Sequence, residues 1–304
     1  MNRDVIIMSI TEITPMGSGG AREGSATYKQ FPLDTGVPGT GLEFSWNSYD
    51  TGYATPRHKH AFDQFRYAFD GDRQIKDGYL TPGDCGFYPE GVSYGPQLQK
   101  EPSVGLGLQF QGPEGIPYET HAELVAARKR LSAQGGTFAN GIYTKILPNG
   151  RKINKDSHAA CWEEAAGQKF RYPPARFAAP IVMKSENARW VMDRKLAGVE
   201  HKHLGTFGER RSAARLMKLA PGAVIPAHRS EDAEIFYLTD GSITYDGKTW
   251  LGGKTADRGT YMYIPHGGAE VKEIGTTEGG TFFILSLPLV ADIEMELNAK
   301  QRVA

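Results

Sequence analysis

The 304-residue sequence lacks several features that would assign it to a common functional class. Its two cysteines, Cys85 and Cys161, are too few for a disulfide framework and form no CxxC pair, so we expect small buried residues. Lysine plus arginine and aspartate plus glutamate each total 35, so the net charge is zero and attracts neither nucleic acid nor an anionic membrane. There is no run of about eighteen apolar residues and no signal-peptide core. We therefore expect a cytoplasmic protein without nucleic-acid or membrane partners.

Glycine (37 residues) and proline (18) are instead plentiful and spread along the chain. Between them, apolar and polar residues alternate in short runs, which is typical of strands joined by tight turns. The clearest strand candidates are 42–49, 104–110, 212–219, 235–238, 261–264 and 281–287. The pattern therefore predicts an all-β fold.

One helix interrupts this pattern. Thr120 and Glu123 have the spacing of a capping box, in which both side chains satisfy free N–H groups of the first turn. Gly135 and Gly136 can end the helix. Three apolar residues then share one helix face: Leu124, Ala127 and Leu131. We predict a short connecting helix that closes the first domain, followed by an irregular segment up to about residue 185.

The most informative pattern in the first half is a pair of histidines within a glycine framework. Gly52 is followed after five residues by His58, then His60, Gln64 and, after six more residues, Gly71. Residues two apart in a strand point to the same side, so both imidazoles face one point. Two imidazoles and a nearby side-chain oxygen can hold a divalent metal.

A related pattern recurs in the second half. His228 lies 170 residues after His58, and Glu234 stands where the first half has Gln64. A downstream glycine-and-proline pattern also occurs twice, and Tyr94 and Glu270 follow it at the same spacing. Its members are Gly83, Pro89 and Gly91 in the first half and Gly259, Pro265 and Gly267 in the second.

These patterns resemble the two motifs of the cupin superfamily, G-x5-H-x-H-x3-E-x6-G and G-x5-P-x-G-x2-H-x3-N. Gln64 replaces the glutamate, Tyr94 the histidine and Leu98 the asparagine. The resemblance implies two tandem cupin (jelly-roll-like) β-barrels with a short connecting helix. We predict an N-terminal cupin domain at 1–135, an inter-domain segment at 136–190 and a C-terminal cupin domain at 191–304.

The resemblance also implies where the chemistry lies, because cupins usually bind metal through three histidines and a glutamate. It suggests His58, His60 and Gln64 as ligands of a divalent transition metal (Fe, Zn, Mn or Ni). Tyr94 would orient the substrate or act as acid or base. Arg66, which has the strand parity of Gln64, could pair with an acidic substrate or be an exposed cation at the end of a strand. The alternative is a polar pocket that binds an organic ligand without metal.

The second half departs further from the motif. Its set of His228, Ser230, Glu234 and Glu270 could hold a hard cation such as Mn²⁺ or Mg²⁺, but a degenerate domain that has lost the metal is the preferred reading. The other histidine pair, His201 and His203, lies outside the glycine framework. We therefore interpret that pair as part of a partly exposed strand or turn.

The leading functional hypothesis is a metal-dependent small-molecule enzyme, most similar to cupin dioxygenases, with its active site in the N-terminal barrel. One alternative is a non-catalytic bicupin that binds a metabolite or sugar. Another is a cupin isomerase, lyase or polyketide cyclase that uses the metal as a Lewis acid. Each hypothesis implies a small-molecule ligand, and the resemblance adds an expected homodimer.

Overall fold

The computed structural model describes residues 4–17, 25–33, 42–75, 78–116 and 118–287. Within them lie 26 β-strands and two α-helices, α1 (His121–Ala133) and α2 (Ser157–Ala166). The strands before α1 are β1 (Ile6–Ser9), β2 (Met16–Gly17), β3 (Ala26–Phe31), β4 (Leu42–Tyr49), β5 (Ala54–Thr55), β6 (Phe62–Asp70), β7 (Arg73–Ile75), β8 (Gly78–Leu80), β9 (Cys85–Tyr88), β10 (Gln97–Leu98) and β11 (Ser103–Gln111).

The remaining strands follow α1. They are β12 (Thr137–Ala139), β13 (Ile142–Ile146), β14 (Lys152–Asp156), β15 (Ile181–Met183), β16 (Val191–Met192), β17 (Val199–Phe207), β18 (Ser212–Leu219), β19 (Val224–Ile225), β20 (His228–Ser230), β21 (Ala233–Tyr245), β22 (Lys248–Leu251), β23 (Thr260–Ile264), β24 (Ala269–Val271), β25 (Ile274–Gly275) and β26 (Gly280–Leu287). All six runs of alternating residues are confirmed as strands. No helix among the described residues is long and apolar enough to cross a membrane.

Two antiparallel sheets share one strand order. The first sheet runs β15-β9-β6-β11-β4-β3-β2, and the second runs β1-β23-β21-β26-β18-β17-β16. In the first half, the short ladders β5–β10 and β7–β8 complete a jelly-roll barrel, the N-terminal barrel. In the second half, β19–β25 and β20–β24 do the same for the C-terminal barrel. The predicted duplication of an all-β jelly-roll unit is therefore confirmed.

Strand pairing crosses the predicted domain boundaries at two places. β1, from the start of the chain, pairs with β23 and extends the sheet of the C-terminal barrel. β15, from the predicted inter-domain segment, pairs with β9 and extends the sheet of the N-terminal barrel. The sheet of each barrel is thus extended by a strand from outside the range predicted for that domain. The edge strand of a sheet has unpaired N–H and C=O groups, and the added strand forms hydrogen bonds with them.

A shared apolar core lies between the two sheets. The ring of Tyr67 stacks on that of Phe283 with centroids 4.2 Å apart, and Phe31 stacks on Tyr261 at 4.5 Å. Cys85 is buried in this core and Cys161 in a smaller one, as expected for small apolar residues. Each aromatic pair of this kind contributes about 0.5–1.5 kcal/mol beyond the free energy gained by burying its surface. These contacts hold the two barrels together as one unit.

Strand β6 presents two different faces because successive side chains point to opposite sides. Phe65, Tyr67 and Phe69 pack in the shared core. Gln64 and Arg66 point the other way, into the interior of the N-terminal barrel. The interior face of this barrel is therefore polar.

The equivalent strand β21 has two apolar faces. Ile235 and Tyr237 pack in the shared core, whereas Phe236 and Leu238 fill the interior of the C-terminal barrel. The same fold therefore encloses polar side chains in the first half and a packed apolar core in the second.

The last residue of the first motif must be a glycine in both halves, for two structural reasons. Gly71 has φ +66° and Gly241 has φ +75°, in the left-handed region that glycine adopts without strain. A Cβ at Gly71 would collide with the carbonyl oxygen of Pro102, and one at Gly241 with that of Gly279. Both positions therefore need a residue without a side chain.

The connecting helix begins as predicted. The Thr120 side chain accepts from the backbone N–H of Glu123, and the Glu123 carboxylate accepts from the N–H of Thr120 at 2.7 Å. Beyond it, the segment predicted to be irregular is ordered: β12, β13 and β14 form a small sheet, and α2 packs on α1. Ala160, Cys161 and Trp162 supply this contact, an apolar cluster that the short alanine-rich stretch did not reveal.

We expect Thr120→Ala to lower the free energy of unfolding by about 1 kcal/mol, because it removes the hydroxyl that accepts from the backbone N–H of Glu123. Chemical denaturation with circular dichroism measures the change. Thr137→Ala, at an exposed strand position, is the control and is expected to change stability by less than about 0.5 kcal/mol. Equal losses for the two variants would contradict the role of the cap.

Candidate functional site

The N-terminal barrel encloses a cavity of about 140 Å³, which is room for a small organic molecule. Strands β4, β6 and β11 form one wall, and residues of β5, β7 and β10 form the opposite wall. The N-terminal ends of α1 and α2 lie at its margin. The polar side chains that line it are Tyr28, Glu43, Ser45, Asn47, Tyr49, Tyr53, Thr55, His58, His60, Gln64, Arg66, Arg73, Gln97, Gln99, Gln109, Tyr118, Glu119, His121 and His158.

Four of the five residues singled out in the first half line the cavity, and the fifth, Tyr94, contacts two of them. His58 and Tyr94 lie opposite each other in a backbone bridge with N–H···O distances of 3.0 and 2.9 Å. The rings of His58 and His60 have centroids 5.1 Å apart, and the Tyr94 hydroxyl lies 3.0 Å from His60 Nε2. Gln64 and Arg66 follow on β6, so the motif spacing does converge in space. Their roles as metal ligands or catalytic groups remain predictions.

Arg66 is the centre of this arrangement. Its Nε–H donates to Gln64 Oε1 at 3.0 Å, one Nη2–H donates to the Tyr94 hydroxyl at 2.9 Å, and Nη1–H donates to Gln97 Oε1 at 3.3 Å. The guanidinium also lies over the Tyr88 ring, 4.6 Å from its centroid. A guanidinium has five N–H donors and no acceptor. Three acceptors among the described residues therefore leave one N–H on each Nη.

A second buried arginine lines the same cavity. Arg73 Nη2 donates to Asn47 Oδ1 at 3.2 Å, and its guanidinium lies 4.4 Å from the centroid of the Tyr49 ring. Burial lowers the pKa of Arg73, and the positive charge of Arg66 acts in the same direction. Within the described part of the chain, neither guanidinium forms an ion pair with a carboxylate, although Arg66 is 9% and Arg73 4% exposed.

Hydrogen-bond directions follow from the chemistry of Arg66. Since the guanidinium can only donate, the Tyr94 oxygen accepts its N–H. The Tyr94 O–H is then left to donate to His60 Nε2, which must be the unprotonated ring nitrogen. Arg66, Tyr94 and His60 thus form a directed chain in which a proton can pass between the phenol and the imidazole.

The part of the cavity lining where β4 meets α1 carries carboxylates. Glu43 Oε2 accepts from the Tyr118 hydroxyl at 3.2 Å and from the backbone N–H of His121 at 3.1 Å, and burial raises the pKa of Glu43. Burial and the nearby charge of Glu123 raise the pKa of Glu119 to about 7. This part of the lining can therefore offer hydrogen-bond acceptors or protonated donors near neutral pH.

The sequence interpretation missed several of these residues. His158 belongs to the segment predicted to be irregular, but it lies in the first turn of α2 and lines the cavity, as does His121 in the first turn of α1. Glu43 and Arg73 were not singled out. The alternation of β4 did carry a signal for Glu43, because it shares the face opposite the apolar Phe44. No local pattern marks His158, which reaches the site through packing between helices.

The fold family implies a divalent metal beside His58 and His60, and the donor set does not fit one. The lone pairs that Gln64, Tyr94 and His60 could offer a metal face the hydrogen-bond donors of the Arg66–Tyr94 chain. A divalent cation about 4 Å from a guanidinium is repelled by roughly 8 kcal/mol at an effective dielectric constant of about 20. Among the described residues, no group of three or more His, Cys, Asp or Glu side chains could hold a metal ion.

The equivalent positions of the C-terminal barrel do not converge on a cavity. His228 is exposed, and Glu234 Oε1 pairs with Arg215 Nη2 at 2.8 Å. The residue opposite His228 is Val271, which corrects the assignment of Glu270 to the position of Tyr94. The extra glycine before β24 shifts the register by one residue. Glu270 is therefore exposed, and buried Val271 continues the apolar interior.

Ser230 and His201 of the second histidine pair contact neighbouring residues of the protein. The Ser230 hydroxyl donates to the carbonyl of Asp232. His201 and His203 lie on β17, partly exposed as expected, and His201 Nε2 lies 3.0 Å from Asp193 Oδ2.

Comparison with known proteins agrees with this architecture. The sequence profile of the ChrR cupin-like domain family matches residues 178–290. A "putative dioxygenase" from Nostoc punctiforme superposes with a TM-score of 0.62 at 14% identity, over 95% of this chain and 85% of that one. Oxalate decarboxylase from Bacillus subtilis, solved at pH 4.6, gives a TM-score of 0.52 at 13% identity, over 93% and 76%.

A tyrosine-for-tryptophan variant of the same decarboxylase gives a TM-score of 0.51 at 13% identity, over 93% of this chain and 77% of that one. No curated protein matches the chain in sequence. At these identities the structural likeness concerns the fold alone. Residues 178–290 match a cupin-like family profile, and the duplicated strand order together with the structural likeness shows a cupin fold in both halves of the chain.

Proposed function

We propose that the N-terminal barrel is the substrate site of an enzyme that acts on a small carboxylic acid. The observation that carries the proposal is that two buried guanidiniums, Arg66 and Arg73, line the cavity and form no ion pair with a carboxylate among the described residues. A buried charge is costly unless it is paired. A small anionic ligand would supply the missing charge.

The unused donors of Arg66 suit a carboxylate. One N–H on each Nη remains, and two parallel N–H groups bind two carboxylate oxygens in a fork. The contacts of Arg66 with Gln64, Gln97 and the Tyr88 ring hold the guanidinium before the ligand arrives. Preorganised donors of this kind bind a ligand with less loss of side-chain entropy.

The proposed chemistry is proton transfer next to the bound carboxylate. His60 lies in the cavity with its Nε2 hydrogen-bonded to Tyr94, so this pair can take a proton from substrate and return it to another position. The positive charge of Arg66 would stabilise negative charge that develops on the substrate or on the Tyr94 oxygen. Such a reaction belongs to the isomerases or lyases, and here the residues of the chain would perform it without a Lewis-acid metal.

A second candidate is the metal-dependent, dioxygenase-like enzyme. The spacing of His58 and His60 within the cupin motif favours it, and one structural relative carries that name. Against it stand Gln64 and Tyr94, which replace a carboxylate and an imidazole, and the guanidinium beside them. Metal analysis of the purified protein distinguishes the two candidates.

The test compares acids with matched neutral compounds by calorimetry. We expect the ligands to include acids with a hydrogen on the carbon next to the carboxylate, such as lactate or malate. The amide of each such acid is expected to bind at least about 100-fold more weakly, because an amide cannot neutralise the guanidiniums. For each ligand found, proton NMR in D2O would follow exchange of the hydrogen next to the carboxylate. Tyr94→Phe is expected to keep binding and to slow the exchange. Equal affinity for acids and amides would overturn the proposal.

A further inference from the structure

We infer that Arg66 takes the place of the metal in the N-terminal barrel, so that this cupin site works with a guanidinium as its resident cation. The inference rests on the contacts of Arg66, Gln64, Tyr94 and His60, independently of which ligand the site binds. It goes beyond the proposed function, because it concerns the origin of the positive charge in the site.

The contacts of Arg66 replace metal coordination position by position. Its guanidinium hydrogen-bonds directly to the residues at the glutamate and final histidine positions of the motif, Gln64 at 3.0 Å and Tyr94 at 2.9 Å. It reaches a third position, His60, through the Tyr94 hydroxyl at 3.0 Å. Three of the four motif positions are therefore joined to one cationic group.

Two of the departures from the motif, Gln64 and Tyr94, can be explained by their contacts with Arg66. A glutamate at position 64 would form an ion pair with the guanidinium and neutralise it. Gln64 keeps the accepting oxygen and leaves the charge available. An imidazole at position 94 would be shorter than the phenol, whereas the Tyr94 hydroxyl accepts from Arg66 and donates to His60 at once.

The net charge is the same for a cupin site that holds a divalent metal and for the site centred on Arg66. A divalent cation with one carboxylate and three neutral imidazoles carries a net charge of +1. Arg66 with neutral Gln64, Tyr94 and two neutral imidazoles also carries +1. The barrel thus keeps a positive centre at the same end of the cavity, and Gln64 and Tyr94, which differ from the motif, both contact Arg66.

The experiment restores the motif with and without the arginine. One variant combines Gln64→Glu and Tyr94→His and keeps Arg66, and the other adds Arg66→Ala. Each is dialysed against Mn²⁺, Ni²⁺ or Zn²⁺, bound metal is measured by plasma mass spectrometry, and affinity is measured by calorimetry. Circular dichroism melts establish that each variant is folded.

We expect the wild-type protein to hold less than one-tenth of an equivalent of any transition metal. The triple variant is expected to bind about one equivalent, and the double variant to bind the same metal at least 100-fold more weakly, because the guanidinium remains. A wild-type protein that retains one equivalent, lost in His58→Ala, would overturn the inference, and that measurement does not depend on the engineered variants folding. Equal affinity of the double and triple variants would also overturn it.

These outcomes are separable from those of the proposed function. A metal-free protein that binds no carboxylate would support the role of Arg66 and contradict the substrate class. A metal-loaded protein that binds carboxylates would contradict the role of Arg66 and support the substrate class.

Discussion

Replacing Arg66 with methionine is expected to weaken carboxylate binding by about 100- to 1000-fold. The substitution removes the charge and the two N–H donors that remain after the contacts with Gln64, Gln97 and Tyr94. Hydrogen bonds to charged groups contribute about 1.5–3 kcal/mol each, and 1.4 kcal/mol corresponds to a factor of ten. Calorimetric titration with the tightest carboxylate measures the loss.

Two further variants separate charge from geometry. Arg66→Lys keeps the positive charge and loses the planar fork, so we expect an intermediate loss of about ten-fold. Arg215→Met is the matched control, because this arginine lies on an equivalent inward face of the C-terminal barrel and is already paired with Glu234. The control is expected to leave carboxylate affinity unchanged. Equal losses for Arg66→Met and Arg215→Met would indicate a general effect on folding and contradict the assigned role.

The free energy of unfolding is expected to fall by about 3 kcal/mol as pH rises from 5 to 8, because of a buried pair of carboxyl groups. Asp63 is 1% exposed and Glu90 is 0% exposed, and the backbone N–H of Glu90 donates to Asp63 Oδ1 at 2.8 Å. Burial raises the pKa of Asp63 to about 6. Burial and the charge of Asp63 raise the pKa of Glu90 to about 7.

The surroundings of the pair only partly compensate these charges. Arg176 Nη2 lies 3.3 Å from Glu90 Oε1, and the backbone N–H of Glu114 donates to the same oxygen at 3.1 Å. The positive charge of Arg210 favours ionisation of Asp63, while the negative charge of Glu209 opposes it. Glu90 Oε2 has no hydrogen-bond partner among the described residues.

The direction of the pH dependence of stability follows from the direction of the pKa shifts of Asp63 and Glu90. Both folded-state pKa values lie above the ordinary values of about 4, so the native state holds the protons more tightly than the unfolded state. The resulting stabilisation is fully present below about pH 4 and is lost as pH rises through 6 and 7. One pKa unit corresponds to about 1.4 kcal/mol, and because the two groups interact, their contributions are smaller than the sum of the separate shifts.

The variant Glu90→Gln is expected to remove much of this pH dependence and to raise stability at pH 8 by about 2 kcal/mol, since the amide stays neutral. Urea denaturation at pH 5, 6, 7 and 8 measures both effects. Glu114→Gln is the control, because that side chain is exposed and only its backbone contacts the pair. A stability profile of Glu90→Gln parallel to that of the wild-type protein would contradict the assignment.

Local patterns in the sequence identify many of the strands, the connecting helix and the location of the site. Alternation with a period of two identified β4 and β11, since one face of each packs in the shared core and the other lines the cavity. The spacing of His58, His60 and Gln64 predicted a cluster, and the capping box predicted where α1 begins. These signals are local, because they follow from strand and helix geometry within a few residues.

The full set of residues in the site follows from long-range contacts of the fold. Arg73 on β7 and His158 on α2 join the cavity through strand pairing and helix packing between distant segments, which no local period encodes. The pairings of β1 with β23 and β15 with β9 cross the predicted boundaries for the same reason. The contacts of Arg66 with Gln64 and Tyr94 depend on the bridge between His58 and Tyr94, which sets the register of two segments 36 residues apart in the sequence. Residue spacing located the histidines, and the fold placed a guanidinium where the motif alone suggested a metal.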